Sequence, residues 1–128
     1  MANEQNSFTI NTDGGSRGNP GPAAIGIVIR DTSNEIIHEI KKYIGLKTNN
    51  FAEYSAVKEA LSFLQNILKE KTCEAKVQFI LDSELVVRQL TGIYKIKDPT
   101  LLTLYQEIKK TQSHFLSVNF THVRREFN

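Results

Sequence analysis

The chain has 128 residues, 40% hydrophobic and 23% charged, with a formal net charge of +2. That suits one globular domain around one core, with a charge too mild to demand a nucleic-acid partner by itself. Several classes drop out: no apolar run reaches the roughly 20 residues of a membrane span, and the polar start Met1–Ser7 has no leader pattern. Lone Cys73 with three scattered His argues against both disulfide and zinc, so a reducing cytoplasm is the expected home.

In chain order, residues 7–13 alternate as a strand and end at Asp13, where glycines and prolines take over. Ala24 to Arg30 forms a second strand, Asp31-Thr32-Ser33-Asn34 a turn, and Ile36 to Tyr43 a third strand. Short links make these three an antiparallel meander. From Asn50 to Lys69 the period changes: Val57, Ala60, Leu61, Leu64 and Leu68 follow helical spacing, with Thr48, Asn49 and Asn50 as N-cap candidates. Val77 to Leu81 reads as a buried strand. It runs into Asp82-Ser83 and a short helix that Gly92 stops. Asp98-Pro99 opens a helix over about 100–110, and Phe115 to Val123 reads as the fifth strand. The expected fold is α/β: three antiparallel strands plus two parallel ones in one mixed sheet, with helices packed on it and one domain over 1–128.

Three acids stand out against this frame. Asp13 is presented at a strand end, although an Asp-Gly turn acid is the plainer reading. Glu53 falls on the apolar stripe of its helix, 4, 8 and 11 residues before Val57, Leu61 and Leu64. A lone buried carboxylate is costly; a first-turn acid favoured by the helix dipole, or a capping-box partner of Asn50, is the alternative. Asp82 ends a parallel-type strand, where α/β sheets bind ligands, and is also a candidate N-cap. If the strands carrying Asp13 and Asp82 are neighbours and the Glu53 helix packs across them, the three carboxylates converge. Mutual repulsion then favours a hard divalent cation with oxygen ligands. Basic clusters at Lys41, Lys42 and Lys47, at Lys95 and Lys97, and at Arg124 and Arg125 suit a polyanion. Together these features fit metal-assisted phosphodiester hydrolysis, with two ions about 3.5–4 Å apart.

The blocks Thr12-Asp13-Gly14-Gly15-Ser16-Arg17-Gly18-Asn19-Pro20-Gly21-Pro22, Thr48-Asn49-Asn50-Phe51-Ala52-Glu53-Tyr54 and Asp82-Ser83-Glu84-Leu85-Val86 resemble type 1 ribonuclease H in its compact bacterial and archaeal form. The resemblance covers almost the whole chain. It implies endonucleolytic cutting of the RNA strand of RNA/DNA hybrids with two Mg²⁺ or Mn²⁺ ions, leaving 5′-phosphate and 3′-hydroxyl ends. By that resemblance Asp13, Glu53 and Asp82 are catalytic metal ligands. Asn19, Thr48, Asn49 and Asn50 match positions that contact the hybrid backbone, and Glu84 a position that touches the RNA strand. Neutral amides and hydroxyls suit that work because they can read a 2′-hydroxyl.

The last block departs from the family. His122-Val123-Arg124-Arg125-Glu126-Phe127-Asn128 matches a stretch that the family follows with a fourth Asp on a closing helix, neither of which occurs in this chain. His122 matches a histidine that assists proton transfer or product release in some relatives, with a structural role in the strand as the alternative. Arg124 and Arg125 are expected to contact phosphate. Asn128 is the candidate replacement for the fourth acid, as catalytic residue and metal ligand, through its side-chain oxygen or a terminal carboxylate. Weakened activity, and a monomer or weak dimer covering the exposed sheet face, are the matching expectations. No small-molecule cofactor and no membrane are expected. The competing readings are an inactive hybrid-binding module of the same fold and a transposase- or integrase-like relative.

Overall fold

The computed structural model describes residues 6–128; the reading of the N-terminal stretch as free of a leader rests largely on residues 1–5, outside that range. Five strands form one sheet: β1 (Ser7–Ser16), β2 (Gly21–Arg30), β3 (Ile36–Lys47), β4 (Lys76–Leu81) and β5 (Ser117–His122). Three helices pack with them: α1 (Asn49–Leu68), α2 (Glu84–Leu90) and α3 (Pro99–Gln112). Short 3₁₀ turns follow α1 at Lys69–Glu74 and β5 at Arg125–Phe127. The sheet order is β3-β2-β1-β4-β5. β1, β2 and β3 are the expected antiparallel meander, and β4 lies parallel to both β1 and β5. Among the described residues, no helix is long and apolar enough to cross a membrane.

Alternation decides which face of each strand is buried. Phe8, Ile10, Thr12 and Gly14 of β1 point to the helices, as do Ala23, Ile25, Ile27 and Ile29 of β2. Ser7, Thr9, Asn11, Asp13 and Gly15 therefore share the outer face of β1. On α1, the stripe Ala52, Ala56, Val57, Ala60, Leu61 and Leu64 is fully buried against the sheet. Each such large apolar side chain contributes about 1.5–3 kcal/mol. Leu101, Leu104 and Ile108 of α3 join the same core, and Phe79 stacks on Phe120 with ring centroids 5.2 Å apart.

Three strands run longer than the sequence suggests. β1 continues past Asp13 to Ser16, so Asp13 is not its last residue. β2 begins at Gly21 and β3 continues to Lys47, because Gly21, Pro22 and Ala23 pair with Lys47, Leu46 and Gly45. Glycine and proline signal a break locally, but a cross-strand partner extends the ladder past it. The helix caps follow side-chain chemistry. Thr48 Oγ1 accepts from Phe51 N at 3.1 Å, and Asp98 Oδ1 accepts from Thr100 N and Leu101 N at 2.8 and 3.1 Å. Gly92, at φ +83°, closes α2 in the left-handed conformation that favours glycine.

One buried polar pair ties α1 to α2. The Tyr54 hydroxyl, fully buried, donates to Gln89 Oε1 at 2.6 Å. Burial pushes the Tyr54 pKa up, so the phenol stays protonated and remains a donor. Replacing Tyr54 by Phe leaves Gln89 without its partner. The expected loss is about 1–3 kcal/mol in urea denaturation with an unchanged m-value; a loss near zero would show that water replaces the hydroxyl.

Candidate metal centre

Each acid is delivered by a different element. Asp13 stands on the outer face of β1 near its end, opposite Gly26 of β2. Asp82 follows the last residue of β4, the strand parallel to β1. Glu53 comes from α1, which packs on β1 and β2. One carboxylate oxygen from each of Asp13, Glu53 and Asp82 can be chosen so that all three lie within 4.8 Å of one another. Convergence of the three acids is thus what the tertiary structure produces.

The local alternatives for these residues fail for specific reasons. Thr48, not Asn50, caps α1, and Glu53 is the fifth residue of the helix, beyond its first turn. Glu53 is therefore neither a dipole-favoured first-turn acid nor a capping-box partner. Its Oε1 accepts from the backbone N–H of Gly14 at 2.8 Å, across the α1–β1 contact. At α2 the cap is Ser83, whose hydroxyl accepts from Val86 N at 3.3 Å, so Asp82 is not needed for capping.

The electrostatics show strain that a cation would relieve. Glu53 is only 3% exposed. Burial, then the neighbouring Asp82 and, more weakly, Asp13, push its pKa up to about 7, against the lowering effects of the Gly14 hydrogen bond and of Arg125. A buried acid facing two others is a poor arrangement by itself and a good one around a divalent ion. All three donors are hard oxygens, the set that Mg²⁺ and Mn²⁺ take, so the residues present fit such an ion.

Around the acids the surface is open and basic. A cleft of about 1080 Å³ runs from Asp13 across the small residues Ala24 and Gly26 to Lys41, Lys42 and Tyr43, and includes Arg17, Asn49 and Arg125. Arg125 Nε lies 3.5 Å from Asp82 Oδ2 while its side chain is 81% exposed. A guanidinium in that position can serve an incoming phosphate as readily as the carboxylate. Asn19, Asn49 and Ser16 form one linked edge: Asn49 N donates to Asn19 Oδ1 at 2.9 Å, and Ser16 N donates to Asn49 Oδ1 at 3.0 Å. Asn19 and Asn49 are both exposed, and Asn49 lines the cleft with Asp13. Thr48 is exposed at the same helix start, and Asn50 is partly buried there.

The other expected site residues lie at the rim. Glu84 opens α2, two residues after Asp82. Its hydrogen bond from Arg88 Nη2, at 2.7 Å, holds its carboxyl below the usual range, and nearby His122 adds to that lowering. His122 is exposed at the end of β5, beside Leu81 and thus one residue from Asp82 in register. Arg124 pairs with Glu126 at 3.3 Å and lies over the Phe127 ring. Asn128 reaches back to β1. Its side-chain oxygen accepts from Asn11 at 2.8 Å and its amide donates to Thr12 O at 2.9 Å. It stands next to the acids, but its oxygen is already engaged. Of the basic clusters, Lys41, Lys42 and Arg125 line the cleft with Asp13. Lys47 instead sits 4.6 Å over the Phe51 ring. Sequence reasoning missed the roles of Gly14 and Asn11. The doubled glycine after Asp13 was the available signal for the first, since only a residue without Cβ permits so close an approach.

Parallel strands presenting carboxylates beside a helix-borne acid, on a β3-β2-β1-β4-β5 sheet, define the ribonuclease H-like class of α/β domains. Comparisons with known proteins agree. A family model described as Reverse transcriptase-like matches residues 11–128. The bifunctional protein Rv2228c of Mycobacterium tuberculosis is 41% identical over 120 residues, covering 93% of this chain and 32% of that protein. Ribonuclease HI of Halobacterium salinarum is 37% identical over 116 residues, covering 91% of this chain and 56% of that protein. LC11-RNase H1, isolated from compost, has been solved in complex with an RNA/DNA hybrid. That structure superposes with TM-score 0.88 at 44% identity, covering 94% of this chain and 88% of that one. The chain belongs to the type 1 ribonuclease H family. It spans about a third of the length of the first curated relatives it matches.

Proposed function

We propose that this chain is an endoribonuclease that hydrolyses the RNA strand of RNA/DNA hybrids, leaving 5′-phosphate and 3′-hydroxyl ends. The observation that carries the reading is the approach of the Asp13, Glu53 and Asp82 carboxylate oxygens to within 4.8 Å, on a domain of this family. Those three residues would hold two Mg²⁺ or Mn²⁺ ions. When bound, such ions neutralise phosphate charge, activate the attacking water and steady the leaving oxygen.

The chain's own residues do the rest. The Gly14 N–H keeps Glu53 turned toward the two aspartates. Capping by Ser83 keeps both Asp82 oxygens off the α2 backbone. Asn19, Thr48, Asn49 and Asn50 present neutral polar groups along one edge, suited to sugar hydroxyls and phosphate oxygens. Lys41, Lys42 and Arg125 supply positive charge along the cleft, and Arg125 stands where it can meet a phosphate at the acids. Glu84 and His122 lie at the rim; on this reading Glu84 contacts the RNA strand and His122 assists proton transfer or product release. The hybrid complex of LC11-RNase H1 supports the choice of substrate.

Incubation of labelled RNA/DNA hybrid, single-stranded RNA and duplex DNA with Mg²⁺ or Mn²⁺ tests the proposal. Cleavage confined to the RNA of the hybrid, and lost in Asp13→Asn, is the expected result. Hybrid bound but left intact by the wild type with both ions would replace the enzyme by a binding module.

A further inference from the structure

On the outer face of the sheet, three side chains form a chain of hydrogen bonds that ends on the Thr12 carbonyl, one residue before Asp13. Arg30 Nη1 donates to Asn11 Oδ1 at 3.3 Å, Asn11 Nδ2 donates to Asn128 Oδ1 at 2.8 Å, and Asn128 Nδ2 donates to Thr12 O at 2.9 Å. Both ends have fixed polarity. A guanidinium can only donate and a backbone carbonyl can only accept. Each amide between them therefore has one satisfactory orientation, and reversing either one sets two donors or two acceptors against each other. The chain is a directed link, not a set of adaptable surface contacts.

Its geometry shows what the link holds. Asn11 and Asp13 are two residues apart on the same face of β1, about 7 Å along the strand. Asn128 follows the 3₁₀ turn Arg125–Phe127, and that turn carries Arg125, whose Nε lies 3.5 Å from Asp82. Among the described residues the turn is otherwise lightly held. Its backbone bonds, Phe127 N to Arg124 O and Asn128 N to Arg125 O, are internal, and Arg124, Arg125, Glu126 and Phe127 are all exposed. Upstream, the backbone bond from Val123 N to Leu81 O anchors the chain at β4. Pinned at Val123 and at Asn128, the turn has its middle fixed over Asp82.

We propose that Asn11 is a positioning residue: through Asn128 it docks the Arg125–Phe127 turn on β1 and so sets the Arg125 guanidinium at the metal centre. This rests on the hybrid-cleaving reading for its effect on activity, but not for the docking itself. Arg30 completes the link by claiming the Asn11 oxygen and leaving the Asn11 amide for Asn128.

Two readouts on the folded protein test it. Amide hydrogen exchange at Phe127 and Asn128 measures docking without any assay of activity. Asn11→Ala should accelerate exchange there while leaving β1 and α1 protection unchanged. In hybrid cleavage, Asn11→Ala should lose about tenfold, the lower range for groups that orient a metal centre's partners. The loss should fall in the same parameter, kcat or KM, as that of Arg125→Ala. The double variant should then be no worse than Arg125→Ala alone, because both changes remove one contribution. A purely structural role for Asn11 predicts that the two losses multiply, and that result would overturn the proposal. Unchanged exchange at Phe127 and Asn128 in Asn11→Ala would overturn it whatever the assay shows. A wild type that fails to cut hybrid, with exchange accelerated as expected, would refute the enzymatic reading and leave the docking role standing.

Discussion

Replacing Glu53 by Gln should abolish hybrid cleavage and, in chelator at pH 8, make the protein more stable than the wild type. The two effects have one cause. Glu53 is held with its pKa raised to about 7 by burial and by the two aspartates, against an ordinary value of 4.5. An acid whose folded pKa exceeds its unfolded one binds protons more tightly when folded. Its ionised form therefore weakens the fold, fully above pH 7, progressively less between 7 and 4.5, and not at all below. A shift of that size corresponds to about 3 kcal/mol at pH 8. Gln keeps an oxygen to accept from Gly14 but carries no charge, so most of that penalty should vanish. Thermal unfolding in chelator should show Glu53→Gln several degrees above wild type at pH 8, with the two converging at pH 4.5. Mg²⁺ should narrow the pH 8 difference by neutralising the cluster and binding only the folded state. Cleavage should fall by more than about a hundredfold, beyond the range lost with outer-shell partners of a metal site, because a direct ligand goes. A Glu53→Gln protein no more stable than wild type at pH 8 would mean that burial and the two aspartates do not penalise the ionised Glu53.

Gly14→Ala should be the most damaging of the small substitutions. A Cβ built on Gly14 would lie 2.5 Å from Ala52 C and 2.6 Å from both Ala52 O and Glu53 N. All three are backbone atoms at the buried N-terminal end of α1, so no side chain can move aside. α1 must lift from β1, at roughly 3 kcal/mol or more, the upper range for overpacking a core. The same displacement would stretch the 2.8 Å bond from Gly14 N to Glu53 Oε1 and loosen the metal centre. The control is Gly26 on β2, opposite Asp13. Gly26→Ala places a methyl no closer than 4.0 Å to Asp13 O, the nearest atom, and should change stability little. Equal denaturation midpoints for Gly14→Ala and wild type would show that the α1–β1 contact is looser than these distances.

Element type was legible where the pattern was strong. The alternation of β1 and β2, the helical stripe from Val57 to Leu68, and Asp98-Pro99 at the head of α3 each announce themselves through periodicity or cap chemistry. Ends were less clear: Gly21-Pro22 looks like a turn and is the start of β2, because strand pairing is not a local property. The site was half legible. Asp13 and Asp82 read as strand-end acids, and Glu53 violates its own apolar stripe, so all three could be singled out, although β1 runs on to Ser16. Which groups they would not be needed for could not. Thr48 and Ser83 take the capping work, and only the folded caps reveal that Glu53 and Asp82 are free of it.

The residues that orient the centre were the least visible. Asn11 is an ordinary polar position on a strand, and Asn128 lies 117 residues away from it. No pattern within either segment marks the pair, because a hydrogen bond between them exists only once the last turn returns to β1. By itself, then, the sequence determined the list of elements and the three anomalous acids, all of which follow from interactions within a few residues. The tertiary structure alone decided that those acids meet, that Gly14 must be glycine and that the chain's last turn is tied beside Asp82. These depend on the parallel pairing of β1 with β4, the packing of α1 on β1 and the return of Asn128 to β1, contacts between segments that no local periodicity records.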